Sequence, residues 1–225
     1  DLNGVCTNYY TYLADFEEMT FLLHFLRPKD VFCDLGSNVG SWAILASGVV
    51  GCRTIAVEPV RESFNKLLSN LALNQIHQKV VTINAAIGKD DRLVCISKGN
   101  GALNRILDNQ QVNIESVRQK SLDQIINGDV LRLLKVDVEG YEMQIIQGGK
   151  GTFSNTELQA LIIELNGNSK KYGSSDDQIH NEISGYGFSP VSYDPFTRNL
   201  IPLNNYNTQS QNTIYVRDFN PVEEF

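Results

Sequence analysis

Hydrophobic positions follow two rhythms that alternate along the chain. Short runs rich in β-branched and aromatic residues, such as Val31-Phe32-Cys33, Thr54-Ile55-Ala56-Val57 and Val80-Val81-Thr82-Ile83, read as buried strands. Between them, apolar residues recur at helical spacing. Tyr9, Leu13, Phe16, Met19, Leu22, Leu23 and Leu26 mark an opening helix that Pro28 stops, and Ser41 to Ala46 forms a helical stretch after the first strand. Pro59 stands where a helix starts, with Phe64, Leu67, Leu68, Leu71 and Leu73 as its apolar stripe. The apolar run from Leu131 and the run from Leu158 to Leu165 read as two more strands, flanking a helix carried by Met143, Ile145 and Ile146. Such alternation predicts a parallel sheet. A helix from Ser174 through Ile183 and strands at Phe188 to Tyr193, Asn199 to Leu203 and Thr213 to Val216 predict an antiparallel end to that sheet. Leu93 to Ser97 and the polar region 98–116 read as a hairpin or insertion, a common place for substrate loops.

In an open parallel sheet, ligands sit outside the carboxyl ends of the strands, and the polar residues of this chain gather there. The first strand ends in Asp34-Leu35-Gly36-Ser37-Asn38-Val39-Gly40, the second in Glu58 and the third in Asn84-Ala85-Ala86. The later strands end in Asp137-Val138-Glu139-Gly140 and in Glu164 and Asn166. An acid in the position of Glu58 accepts from both hydroxyls of a ribose. Asn38 stands where a dinucleotide-binding turn carries its middle glycine, which disfavours a pyrophosphate ligand. The turn suits a ligand without phosphate: glycines let the backbone approach an amino-acid-like group, and Asp34 accepts from its ammonium. S-adenosylmethionine has those parts. The plainer alternative is that Gly36 and Gly40 are turn and packing glycines and Asp34 caps the helix.

The length of 225 residues suits one large domain, and a net charge of −7 with pI near 5.0 argues against general nucleic-acid or anionic-membrane binders. A small neutral or polar substrate fits better. Cys6, Cys33, Cys52 and Cys95 have no metal-site spacing and read as reduced. With no membrane-length apolar stretch and no basic leader, a cytoplasmic protein is expected, and the absence of an initiator Met leaves room for an upstream segment.

These residues together make the chain resemble the FkbM-type family of S-adenosylmethionine-dependent methyltransferases over about residues 30–217. The resemblance is carried by the turn Asp34 to Gly40, Glu58-Pro59, Asn84-Ala85-Ala86, Ser121-Leu122-Asp123 and above all Lys135-Val136-Asp137-Val138-Glu139-Gly140-Tyr141-Glu142. It implies a class I methyltransferase fold, a Rossmann-like α/β architecture. Its seven-stranded, mostly parallel sheet has helices on both faces and an antiparallel C-terminal strand. It also implies O-methylation of a sugar, glycan or natural product. Residues 1–29 then form an N-terminal helical segment, 30–217 the methyltransferase domain and 218–225 a tail. The alternatives are an inactive, methyltransferase-like binding domain and a nicotinamide-dependent oxidoreductase. A homodimer is compatible with the sequence.

The cofactor-binding set read from the sequence is Asp34, Gly36, Ser37, Asn38, Gly40, Glu58, Pro59, Ala85, Ala86 and Asp137. A hydroxyl acceptor must lose a proton as it attacks, which makes Asp137 the first candidate base and Glu139 the second. Glu139 and Glu142 equally suit helix capping or a pair with Lys135. Lys135, two residues before Asp137 on the same strand face, reads either as its buried ion-pair partner or as a substrate contact. Asp137, Glu164 and Asn166 offer oxygen donors to a divalent cation, which is not favoured because the same groups suit sugar hydroxyls. Of the histidines, His24 and His77 read as packing or surface residues and His180 as facing substrate. Trp42 reads as packing its helix on the sheet.

Overall fold

The structure is a computed structural model that describes residues 13–97, 106–107 and 114–217. Tyr9 of the opening stripe, Cys6, most of the polar region 98–113 and the tail lie outside the described residues. The first helix, α1 (Phe16–Phe25), leads through Pro28 into β1 (Val31–Leu35), as the apolar stripe predicts. A helix α2 (Ser41–Ile44) follows and widens into a π-helical segment, Leu45–Val50, closed by the Gly51 N–H on the Ala46 carbonyl. The sequence pattern predicts the helix but not this change of pitch.

Next come β2 (Arg53–Val57), α3 (Arg61–Leu73) and β3 (Val80–Ile83). Helix α3 buries Phe64, Leu67 and Leu71, whereas Leu68 and Leu73 are exposed, a correction to the expected stripe. At about 100° per residue, only positions three and four apart share the narrow face that meets the sheet.

A second sheet then interrupts the alternation. Strands β4 (Ala86–Gly88), β5 (Arg92–Ser97), β6 (Ile106–Leu107) and β7 (Ile114–Ser121) assemble in the order β4-β7-β5-β6, so the expected hairpin exists as part of a small sheet. Ser121 closes it with a reciprocal cap on α4 (Leu122–Ile126).

The main sheet resumes with β8 (Leu133–Val136), α5 (Glu142–Gly148), α6 (Lys150–Ser154) and β9 (Ala160–Glu164). After a 3-10 turn (Asn168–Tyr172), α7 (Asp176–Gly185) leads to β10 (Ser189–Asp194), β11 (Asn199–Pro202) and β12 (Asn212–Val216). Among the described residues the order is β11-β10-β12-β9-β8-β1-β2-β3. The pairs from β3 to β9 are parallel, and β12 lies antiparallel between β9 and β10. The sheet therefore has the expected mostly parallel architecture with an eighth strand, because β11 folds back on β10 through a tight turn.

Side-chain alternation divides the core. Cys33, Leu35, Leu134, Val136 and Ile163 face the layer of α4 to α7, while Phe32, Leu133 and Ile162 face Met19, Phe21, Leu22 and Phe25 of α1 and Trp42 of α2. Helix α1 is thus integral to the core of the sheet that follows it. Register places Asp34 beside Lys135 and Lys135 beside Ile162, so the polar ends of β1, β8 and β9 project toward the α1 face.

Candidate active site

The turn after β1 is tied to the end of β2 by main-chain bonds. The Gly36 and Ser37 N–H groups both donate to the Val57 carbonyl at 3.0 Å, and the Asp137 N–H donates to Leu35 O at 3.1 Å. Only glycine fits at position 36: φ is +79°, and a Cβ would stand 1.8 Å from the Asp137 carbonyl oxygen. The strand ends of β1, β2 and β8 are locked edge to edge there.

Glu58 sits in this junction with its orientation fixed. Its Oε2 accepts from the Asn38 N–H at 2.9 Å and its Oε1 from the Val60 N–H at 2.8 Å, leaving further lone pairs on both oxygens. Burial raises its pKa to about 7, against the two backbone bonds that favour the anion. Asn84 donates to the Glu58 and Pro59 carbonyls at 2.9 Å each and so clamps the end of β3 against the same segment.

At the end of β8, the Lys135 Nζ lies 2.8 Å from Asp137 Oδ2, with Lys135 buried and Asp137 half-open to solvent. The ammonium also stands 5.2 Å from the Trp42 ring centroid. Burial alone would pull the Lys135 pKa down; Asp137 and Asp34 outweigh it and hold the lysine charged. The following turn is strained, with Glu139 at φ +57°. Its carboxylate accepts from Asn168 Nδ2 at 3.1 Å, and Glu142 braces the turn by accepting the Gly140 N–H at 3.0 Å. Glu142 is therefore a buried brace of its own turn, and burial pushes its pKa to about 7.

These elements enclose a cleft of about 320 Å³, within the range of small-molecule sites. Gly36, Asn38, Glu58, Pro59 and Ala86 form one half, and Asp137, Glu139, Glu164 and Gln211 the other. Val60, Ile87, Ile96, Val138 and Tyr141 supply apolar wall, with the Tyr141 hydroxyl held by Arg92 Nη2 at 2.9 Å. Glu58, Asp137, Glu139 and Glu164 all line it, and no Lys or Arg does among the described residues. Asp137, Glu139 and Glu164 each present an oxygen within 4.8 Å of the others. Burial first, then Asp137 and Glu139, push Glu164 up to about 8.

The remaining sequence candidates stand behind this wall. Asp34 is fully buried with neither carboxylate oxygen hydrogen-bonded, and its pKa is raised to about 6, chiefly by burial. Ser37 is buried with its hydroxyl on the Asp34 carbonyl at 2.7 Å, Gly40 packs on Leu67, and Ala85 lies in the core. Lys135 also stays off the wall, so of its two readings the structure realises the ion pair. Asn166 is exposed, and its Oδ1 accepts from the Asn168 N–H; Glu139 takes its place beside Asp137 and Glu164. His180 is a further correction: its Nδ1 meets the Tyr215 hydroxyl at 3.0 Å, away from the cleft. Tyr141 sits inside the distinctive strand-end run, but Gln211, Ile96 and Asn168 carry no local signal. Topology alone brings them in.

A family model of the methyltransferase FkbM domain matches residues 34–190, which span the turn, Glu58, the acid trio and the connecting sheet. The chain belongs to the FkbM methyltransferase family. No curated protein matches the sequence. Among solved structures, the chain is similar to Streptococcus pneumoniae Sp1610, named for a tRNA methyltransferase activity. The TM-score is 0.51 at 12% identity over 89% of this chain and 68% of that one. The same protein in complex with S-adenosyl-L-methionine gives a TM-score of 0.50 at 12% identity over 88% and 70% of the two chains. SMU.1697c of Streptococcus mutans, in complex with SAH, gives 0.49 at 15% identity over 88% and 94%. At these identities the likeness concerns the class I methyltransferase fold. No helix among the described residues is long and apolar enough to cross a membrane.

Proposed function

We propose that this FkbM-family protein is an S-adenosylmethionine-dependent O-methyltransferase acting on a hydroxyl of a sugar, glycan or natural product. The observation that carries the reading is the charge of the cleft wall: Glu58 in one half, Asp137, Glu139 and Glu164 in the other, and no basic residue among the described ones. Such a wall complements a cationic sulfonium and ammonium and opposes a pyrophosphate, which weighs against the nicotinamide alternative. It likewise weighs against a nucleic-acid acceptor.

The residues present fit the cofactor. Glu58, pre-set by Asn38 and Val60, accepts the ribose hydroxyls; Pro59, Ala86 and Ile87 form the apolar wall beside them. Gly36 and Asn38 let the backbone approach the amino-acid end, with Asp34 behind them as a buried counter-charge. When bound, S-adenosylmethionine supplies a methyl carbon already activated by its sulfonium. The chain has then to orient the acceptor, exclude water and take one proton. Asp137, held in place by the Lys135 ammonium, accepts the proton that leaves the acceptor oxygen as the new O–C bond forms and the C–S bond breaks. Glu139 and Glu164 hold neighbouring hydroxyls. Lys135 touches no substrate and acts through Asp137, as a positioning residue. The methyltransferase domain is proposed as residues 30–217, with α1 packed into its core.

The test is tritiated methyl transfer from S-adenosylmethionine to a panel of hydroxylated acceptors, with Asp137→Asn as the control. Transfer that falls at least 100-fold in that variant supports the assignment. Transfer that is unchanged removes Asp137 from the chemistry.

A further inference from the structure

The sheet edge that bears the cleft also carries an aromatic pair that the methyl-transfer chemistry leaves unused. Phe196 is 87% exposed, Phe16 is 44% exposed, and their ring centroids stand 6.0 Å apart. Neither contributes to the core, although the neighbouring residues of both their elements do. The turn that carries Phe196 is fixed by Asp194, whose Oδ1 accepts from the Phe196 N–H at 2.9 Å and whose Oδ2 accepts from the Thr197 hydroxyl at 2.7 Å.

Register fixes where this pair stands. Val191 of β10 is level with Ile214 of β12, and Asn212 of β12 with Glu164 of β9, so the turn after Asp194 opens on the same sheet edge as Glu164. Two strand spacings, about 10 Å, separate them. The gap is filled from the α1 side. Asp15, the residue before Phe16, lies within electrostatic reach of Lys135 and Asp137. Gln211 lines the cleft, and its neighbour Ser210 donates to Glu18 Oε1 at 3.1 Å. Asp15 and Gln211 thus stand beside the acid trio, Phe16 follows Asp15 in the chain, and Phe196 lies against Phe16.

We propose that this sheet edge is a second acceptor subsite, in which Phe196 and Phe16 stack on the face of a pyranose ring next to the one being methylated. The proposal rests on the glycan reading above. A pyranose offers an apolar C–H face to an aromatic ring and hydroxyl donors around its edge, which the carboxylate of Asp15 and the amide of Gln211 meet. Two rings are too little apolar surface for a stable protein interface, which takes roughly 1,000 Å² or more.

The experiment compares kcat/KM for labelled methyl transfer to methyl glycosides of glucose, galactose and mannose with that for the corresponding disaccharides. The expected result is a preference for disaccharides of about ten-fold, the factor one stacked ring contributes. Phe196→Ala brings that ratio close to one, and Phe196→Tyr keeps it. Circular dichroism and titration with S-adenosylmethionine report whether the variants are folded; if Phe196→Ala is not, Phe16→Ala carries the same test. An equal rate for both lengths in the wild type, or a ratio that survives Phe196→Ala, overturns the subsite and leaves the glycan reading standing. A sedimentation shift in Phe196→Ala with the ratio unchanged assigns the pair to self-association and also overturns it. No transfer to any of these sugars, while S-adenosylmethionine still binds, overturns the glycan reading and the subsite with it.

Discussion

Lys135 Nζ stands 2.8 Å from Asp137 Oδ2 while Asp34, its register neighbour on β1, has two buried carboxylate oxygens with no hydrogen-bond partner. One buried ammonium therefore serves two carboxylates on the same sheet face, and only the one at the cleft receives a direct bond. That asymmetry separates the acid on the cleft wall from the acid behind it.

Replacing Lys135 by Met is expected to lower kcat about 100-fold and to destabilise the fold by about 3 kcal/mol, because Asp34 remains buried without its cation and Asp137 loses its partner. Chemical denaturation and single-turnover rates check the two parts separately. Lys135→Arg is not expected to restore the rate, since a planar guanidinium is larger than the ammonium that stands between Asp137 and Trp42 and bonds in a different geometry.

Glu58 carries a pKa near 7, so its anionic form grows through neutral pH. Affinity for S-adenosylhomocysteine is expected to tighten as pH rises from about 6 to 8. In Glu58→Gln that dependence disappears and the affinity falls roughly 10- to 100-fold. Calorimetry across pH measures both.

Stability without cofactor should move the opposite way. Burial raises Asp34 to about 6, Glu58 and Glu142 to about 7 and Glu164 to about 8 in the folded chain. Acids whose folded pKa lies above the unfolded value stabilise fully below the unfolded pKa, and that contribution is lost as pH rises through the folded one. The Tm of the unliganded protein is thus expected to fall between about pH 4 and 8, and Glu164→Gln to flatten the upper part of that slope. A Tm that rises over this window contradicts the burial of these acids.

Gly36→Ala is expected to lower Tm and abolish cofactor binding together. A Cβ there meets the Asp137 carbonyl at 1.8 Å and requires a backbone at φ +79°, so the turn must leave β8. Dialysis against a chelator, in contrast, should change turnover less than two-fold, because the Lys135 ammonium already occupies Asp137 Oδ2. A ten-fold loss restored by magnesium would assign the acid trio to a metal.

The sheet was legible because its strands are short apolar runs and its helices keep one apolar face, as in Phe64, Leu67 and Leu71. Glu58 and Asp137 were legible because each ends such a run, and chain order then places them on one edge. Glu139 displaced Asn166 from the acid trio because the strained backbone at φ +57° turns it inward, which residue order does not encode. Gln211 escaped for a different reason. It lies far along the chain and reaches the cleft only because β12 inserts antiparallel beside β9, with Asn212 level with Glu164. The sequence position of Lys135 suits two roles, and burial against Asp137 selects the ion pair.

The central claim is that the carboxylate-lined cleft holds S-adenosylmethionine through Glu58. Isothermal titration of the wild-type chain and Glu58→Ala with S-adenosylmethionine and with S-adenosylhomocysteine tests it directly. The account predicts micromolar binding of both by the wild type and a loss of at least about ten-fold, or 1.4 kcal/mol, in the variant. No binding below the millimolar range, or equal affinity in Glu58→Ala, would contradict it.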